Sequence, residues 1–204
     1  MKRRTFDVIA STIGLGLAAL LVVAGGLLTW AHNFAHDQVH DQLAAQQIYF
    51  PDKGSASLNE LKGADFAAIN KYAGQQLVNG AQAEAYANHY IKVHLGAIGG
   101  GKTYAQLSGE YLALSDKQKA APDGVALNGT VQTMFRGETL RGLLLNAYAW
   151  DKTATIAGDA ALVAWIGAAV MAVLGALGLW HSHRVPRSKE MLDGRHEAIT
   201  PTNV

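Results

Sequence analysis

The segment Gly96 to Thr103, GAIGGGKT, satisfies the spacing G-x-x-x-x-G-K-[ST] in full. In a phosphate-binding loop of that form the glycines expose backbone N–H groups to phosphates, Lys102 would reach the terminal phosphates and Thr103 would hold magnesium. Such a loop must follow a buried parallel strand. The preceding AEAYANHYIKVHL instead combines helix formers with Asn88, His89 and Lys92, and no apolar strand ending in aspartate supplies a second magnesium ligand. Gly96, Gly101, Lys102 and Thr103 are therefore read as a glycine turn between helices that matches the motif by chance, and no nucleotide is expected.

A second constellation is the row His32, His36 and His40, flanked by Asp37 and Asp41. Histidines four residues apart share one helix face and can share a metal ion. The outer two, eight residues apart, are separated by about 12 Å along a helix axis, too far for one mononuclear site. At most two of the row could hold one metal, with His89 or His94 from another segment completing the set. The expectation is a solvated face and no metal, with a proton-responsive cluster as the alternative. No G-x-S-x-G, H-E-x-x-H or calcium-loop pattern occurs, and the hydroxyls and carboxylates form no recognisable triad. The reading is of a non-enzyme with no catalytic residue and no cofactor. Asp159 reads as an ordinary boundary residue, and Asn128-Gly129-Thr130, which meets the N-glycosylation rule, as a turn before a helix.

The chain that must position these residues has 204 of them, half hydrophobic, 16% charged and none cysteine. Without cysteine, disulfides, thiolate metal sites and iron–sulfur clusters are excluded. A net charge of +1 and the lack of any DNA- or RNA-module spacing set nucleic acid aside. Mean hydropathy, +0.07, hides two populations. Val8 to Trp30 is 23 residues without a charge and Ala160 to Trp180 is 21 more. About 20 residues at 1.5 Å each cross a hydrocarbon core of roughly 30 Å. Both stretches are apolar on every face, as membrane helices are. Lys2, Arg3 and Arg4 precede the first, and Arg184, Arg187 and Lys189 follow the second, so the positive-inside rule puts both ends in the cytoplasm. The first stretch is too long for a secretory signal peptide and lacks a small-x-small cleavage site. Gly14, Ala18 and Gly25 or Gly26 in one span, with Gly167, Met171 and Gly175 in the other, suit close helix pairing.

The expected order is a cytoplasmic N-terminus (1–7), a first span (8–30), an extracytoplasmic helical domain (31–159), a second span (160–180) and a disordered cytoplasmic tail (181–204). Between the spans, ten Lys/Arg and twelve Asp/Glu do not contest this topology, because so long a loop translocates regardless of charge. The first helix is expected to run on to Pro51, with Ala31, Ala35, Val39 and Leu43 as an apolar stripe that needs a partner. Ser57 and Glu60, in capping-box spacing, would start a helix through Phe66 and Ile69. Ala81 to Leu95 and Tyr104 to Leu114 read as two more helices. Pro122-Asp123-Gly124 reads as a turn, after which Thr130 would cap a long helix leading into the second span. The fold class is all-α: two transmembrane helices flanking a helical bundle.

At GGGKTYAQLS and RGETLRGLLLNAYAW, followed by a glycine- and alanine-rich span, the chain resembles uncharacterised two-span inner-membrane proteins of actinobacteria. That resemblance implies a plasma-membrane protein with an extracytoplasmic helical domain, and transfers no catalytic residue. Bilayer lipid and a membrane or envelope protein are the expected partners, in an accessory or scaffold role. The alternative is a ligand or pH sensor, which would need a separate signalling partner because the 24 residues after Trp180 form no output domain.

Overall fold

A computed structural model describes residues 3–184, and among them every regular element is helical. The chain divides into two compact units, one of residues 3–30 with 158–184 and the other Ala31–Ala157. Two helices, α1 (Arg3–Ala45) and α8 (Pro122–Arg184), are long and apolar enough to cross a membrane. The expected disordered tail is helical as far as Arg184, and its remainder lies outside the described residues.

In the first unit α1 and α8 pack against each other through small residues. Ala18, Ala161, Ala164 and Ala168 are buried at the seam. A Cβ added to Gly25 would stand 3.1 Å from the indole of Trp165, whose Nε1 donates to Thr29 Oγ1 at 3.2 Å. Gly175 faces Leu15 and the Ser11 carbonyl, Gly167 faces Leu21, and Gly178 abuts Ser11. Glycine here permits close backbone approach, the usual basis of helix pairing where apolar burial supplies no drive. Most large apolar side chains of the unit, Leu20 and Val163 among them, point outward.

The second unit folds around Val39 and Leu43 of α1. This helix stops at Ala45, six residues before the expected Pro51. Gln47, at φ +53°, turns the chain, and Tyr49 forms an isolated antiparallel bridge with Gln76. Gln76 Nε2 donates to the Ala44 carbonyl at 2.8 Å, satisfying one of the carbonyls a helix end leaves open. Next come α2 (Ala56–Asn59) and α3 (Gly63–Asn70), where one helix was expected. Ser55 caps α2 in place of Ser57, and Gly63 at φ +54° breaks the right-handed path.

Asn79 caps α4 (Gly80–Tyr86), which passes through a π turn at Ala87–Ile91 into α5 (Lys92–Ile98). Two capping boxes, Thr103 with Gln106 and Ser115 with Gln118, start α6 (Tyr104–Leu112) and α7 (Asp116–Lys119). Pro122 opens α8 and does not form the expected turn, because its fixed φ and missing N–H suit the first helical position. Thr130 is consequently mid-helix, its hydroxyl donating to Ala126 O at 3.2 Å rather than capping. Ile69 and Leu77 are fully buried, and Met134 and Leu144 of α8 join them in the core. Burying side chains of this size contributes roughly 1.5–3 kcal/mol each.

Candidate functional site

A groove of about 450 Å³ lies in the second unit, between α1 and α8. Its floor uses Ala35, Val39 and Leu43, the stripe that needed a partner. One wall is α8: Leu140, Leu143, Leu144, Ala147 and Trp150 fall at helical spacing toward the groove. Leu143 is 65% exposed and Trp150 57%. The amides of Gln38, Gln42 and Gln46 on α1 and of Asn146 on α8 also line it. Gln42 Nε2 reaches Gln38 Oε1 only at 3.5 Å, so these groups retain hydrogen-bonding capacity. No charged side chain lines the groove. Apolar walls with a few polar groups, at this volume, are the usual makeup of a small-molecule site.

Beside the groove the histidine row departs from the solvated face expected of it. His32 Nδ1 is 2.7 Å from the Ala154 carbonyl and His36 Nδ1 is 2.9 Å from Asp151 Oδ1, both on α8. Only His40 faces outward, 3.2 Å from its neighbour Asp41. The rings of His32 and His36 meet edge-on with centroids 4.6 Å apart. Asp151 is pressed against Gly80 at the start of α4, with no room between them for a Cβ. The two suggested helpers are engaged elsewhere: His89 with Asp65 at 2.7 Å, His94 with the Tyr90 carbonyl at 2.8 Å and Glu60 at 3.8 Å. Among the described residues no three His, Asp or Glu side chains are grouped to hold a metal ion.

The motif GAIGGGKT lies across the end of α5 and the start of α6. Gly96 is within α5, and Gly101 N–H donates back to its carbonyl at 2.8 Å. Gly100 and Gly101 take φ of +58° and +81°, the left-handed geometry that closes a helix. Lys102 pairs with Glu110 at 2.8 Å, and Thr103 caps α6. Each residue of the motif thus has a local structural part in joining two helices.

One feature had no signature in the sequence. The π turn inserts a residue into the helix and aims Asn88 and His89 at different neighbours. Asn88 Nδ2 donates to Glu84 Oε1 at 2.8 Å, and its Oδ1 accepts from Arg141 Nη2 of α8 at 3.2 Å. Arg141 Nη1 donates to Glu138 at 3.2 Å, while its buried Nε has no partner among the described residues. The adjacent Tyr86 packs on Phe50 and Tyr90, and its hydroxyl is pushed up to about 12 by burial and then by Tyr90. Asn88 thus ties the π turn to α8, and His89 ties it to Asp65 of α3.

The fold and site together define an all-helical protein with two helices suited to a membrane and an uncharged apolar groove in its helical unit. Comparison with protein-family models, curated proteins and solved structures finds no match.

Proposed function

We propose that the protein is a non-enzymatic, two-span component of the plasma membrane with both termini in the cytoplasm. Its helical unit faces the outer side and binds another envelope component, in an accessory or scaffold role. The observation that carries this reading is uncovered apolar surface. Only 17% and 22% of the two most apolar stretches are buried, whereas the core helix of a soluble protein would bury most of its own. Lipid is the natural cover for those faces, and the basic residues at both ends orient them. In the helical unit, exposed Leu143 and Trp150 flank a groove, and an apolar patch on such a surface marks a binding site.

The absence of cysteine makes topology simple to test. In intact cells Lys53→Cys should react with an impermeant maleimide and Ser188→Cys only after permeabilisation; the reverse pattern would overturn the orientation. Binding is tested by affinity purification in mild detergent with analysis of bound protein and extracted lipid. Elution with neither, at every expression level, removes the basis of the binding role.

A second reading, a proton sensor, is favoured by the His36–Asp151 contact joining α1 and α8. A neutral His36 donates one hydrogen bond there, and a protonated one forms an ion pair. Replacing His32, His36 and His40 together by glutamine without changing any pH dependence of thermal melting would remove it.

A further inference from the structure

We infer that His32 and His36 bind one divalent transition-metal ion of the zinc class through their two Nε2 atoms, leaving its other coordination positions to water. This goes beyond both readings above and requires neither.

Three observations carry it. The first is which nitrogen is left open. His32 Nδ1 stands 2.7 Å from the Ala154 carbonyl, which only accepts, so Nδ1 must donate. His36 Nδ1, 2.9 Å from Asp151 Oδ1, donates to a carboxylate in the same way. In the neutral ring each Nε2 then keeps its lone pair. A ring whose N–H is tied to a carboxylate or a backbone carbonyl, with its other nitrogen bare, is the usual form of a metal-ligating histidine.

The second is direction. Both acceptors belong to α8, three positions apart, so both Nδ1 edges face that helix. The two nitrogens of an imidazole point to different sides of the ring, and both Nε2 atoms therefore turn away from α8. His32 is part-buried and His36 is 36% exposed, which leaves an ion a way in from solvent.

The third is separation. An ion about 2.1 Å from each Nε2 stands about 3.2 Å from each ring centre, and bond angles of about 90–109° then set the ring centres about 4.5–5.2 Å apart. The observed separation is 4.6 Å, with the ring planes at 81°. Two protein ligands make an open site, in keeping with the lack of a third His, Asp or Glu grouped with them among the described residues. His40, at the same spacing from His36, hydrogen-bonds among the described residues only to its exposed neighbour Asp41.

The test titrates zinc(II) alone into the full-length protein, purified without a polyhistidine tag and held in phosphatidylcholine nanodiscs, by calorimetry against empty nanodiscs. One ion per chain is expected. His32→Gln and His36→Gln should each weaken binding by more than about tenfold, and His40→Gln should leave it unchanged. Asp151→Asn keeps both ligands and removes the carboxylate behind His36, so it should weaken binding about 10–100-fold. A purely structural role for Asp151 would not move this affinity in a variant that circular dichroism shows to be folded. Should that variant not fold, copper(II) on the wild type should show two imidazole ligands by pulsed electron paramagnetic resonance, and one in His36→Gln.

A lack of zinc binding overturns the inference. So does binding that survives His32→Gln or His36→Gln, which would place the ion elsewhere, and so does an equal loss in His40→Gln, which would reduce the site to any exposed histidine pair. Copper with fewer than two imidazoles on the wild type overturns it as well. Binding indifferent to Asp151→Asn overturns the part assigned to the carboxylate.

Discussion

Replacing Gly80 by alanine should destabilise the helical unit through a contact made far away in sequence. The new Cβ would stand 2.6 Å from Asp151 Oδ2 and 2.7 Å from its Cγ, and it would collide with Asp151 Cβ. Rotating the carboxylate alone does not clear the space, so α4 and α8 must separate or Asp151 must leave its 2.9 Å contact with His36. Overpacking of this kind costs about 1–3 kcal/mol. A hydrogen bond to a charged group adds about 1.5–3 kcal/mol at most. That second figure is discounted to about 1 kcal/mol because His36 remains 36% exposed, although Asp151 is only 16% exposed. Alanine's better helix propensity returns less than about 1 kcal/mol at a first-turn position. The net is about 1–3 kcal/mol, or roughly 3–12 °C in Tm for a unit of this size. Thermal melting by circular dichroism of the full-length protein in nanodiscs measures it. The decisive comparison is with Asp151→Gly, which removes the clashing Cβ together with the carboxylate and in whose presence Gly80→Ala should cost nothing further. An unchanged Tm in the single variant, or strictly additive losses in the double variant, would refute the reasoning.

Gly137→Ala drives a Cβ into the Leu95 side chain and should cost about 1–3 kcal/mol in the same assay, but nothing further in a chain where Leu95 is already alanine. Thr103→Ala removes the cap of α6 and should cost about 1 kcal/mol, with faster amide exchange confined to the first turn of α6. Lys102→Ala, which loses a solvent-exposed pair with Glu110, should change stability by less than about 1 kcal/mol. In ultraviolet difference titration, Tyr86 should be absent from the phenolate signal of Tyr86→Phe minus wild type until the pH nears about 12. Because folding raises this group above its ordinary value, its contribution to stability is complete below pH 10.0 and is lost as pH climbs from there through about 12. A Tyr86→Phe variant should lack that component of the alkaline loss.

What the sequence displays of this fold is what near neighbours determine. Two uninterrupted apolar runs, Val8 to Trp30 and Ala160 to Trp180, are long helices in which no proline or charge interrupts the local pairing of backbone groups. The glycine cluster at 99–101 is a turn because left-handed backbone is cheapest there. The end of α1 was not legible, since Gln76, more than thirty residues away, holds the Ala44 carbonyl. Nor was the pairing of His36, whose partner Asp151 arrives from α8. A spacing of four puts three histidines on one face but does not say whether that face meets water or another helix. The π turn at Ala87–Ile91 has no signal in residue type, because one extra residue per turn is selected by packing on α3 and α8. The groove is the least legible of all, being a gap between segments about a hundred positions apart.

Leu143 separates the needs of folding from those of binding. Its neighbour Leu144 is buried in the core, and shortening that residue to alanine should cost about 2–5 kcal/mol. Leu143 itself is 65% exposed, so little of its surface is removed from water on folding. Leu143→Gln, which keeps the helix propensity and the length, should therefore leave stability within about 0.5 kcal/mol. Folding thus gives no reason for leucine at this position, and the same holds for Trp150 seven residues on, at 57% exposure. Two large apolar side chains two helical turns apart on one groove wall, neither required by the core, fit a surface that is covered by a ligand. If Leu143→Gln melts several degrees lower than wild type, the side chain belongs to the core and the argument from its exposure fails. An unchanged melt together with loss of the component captured by affinity purification would assign it to binding alone.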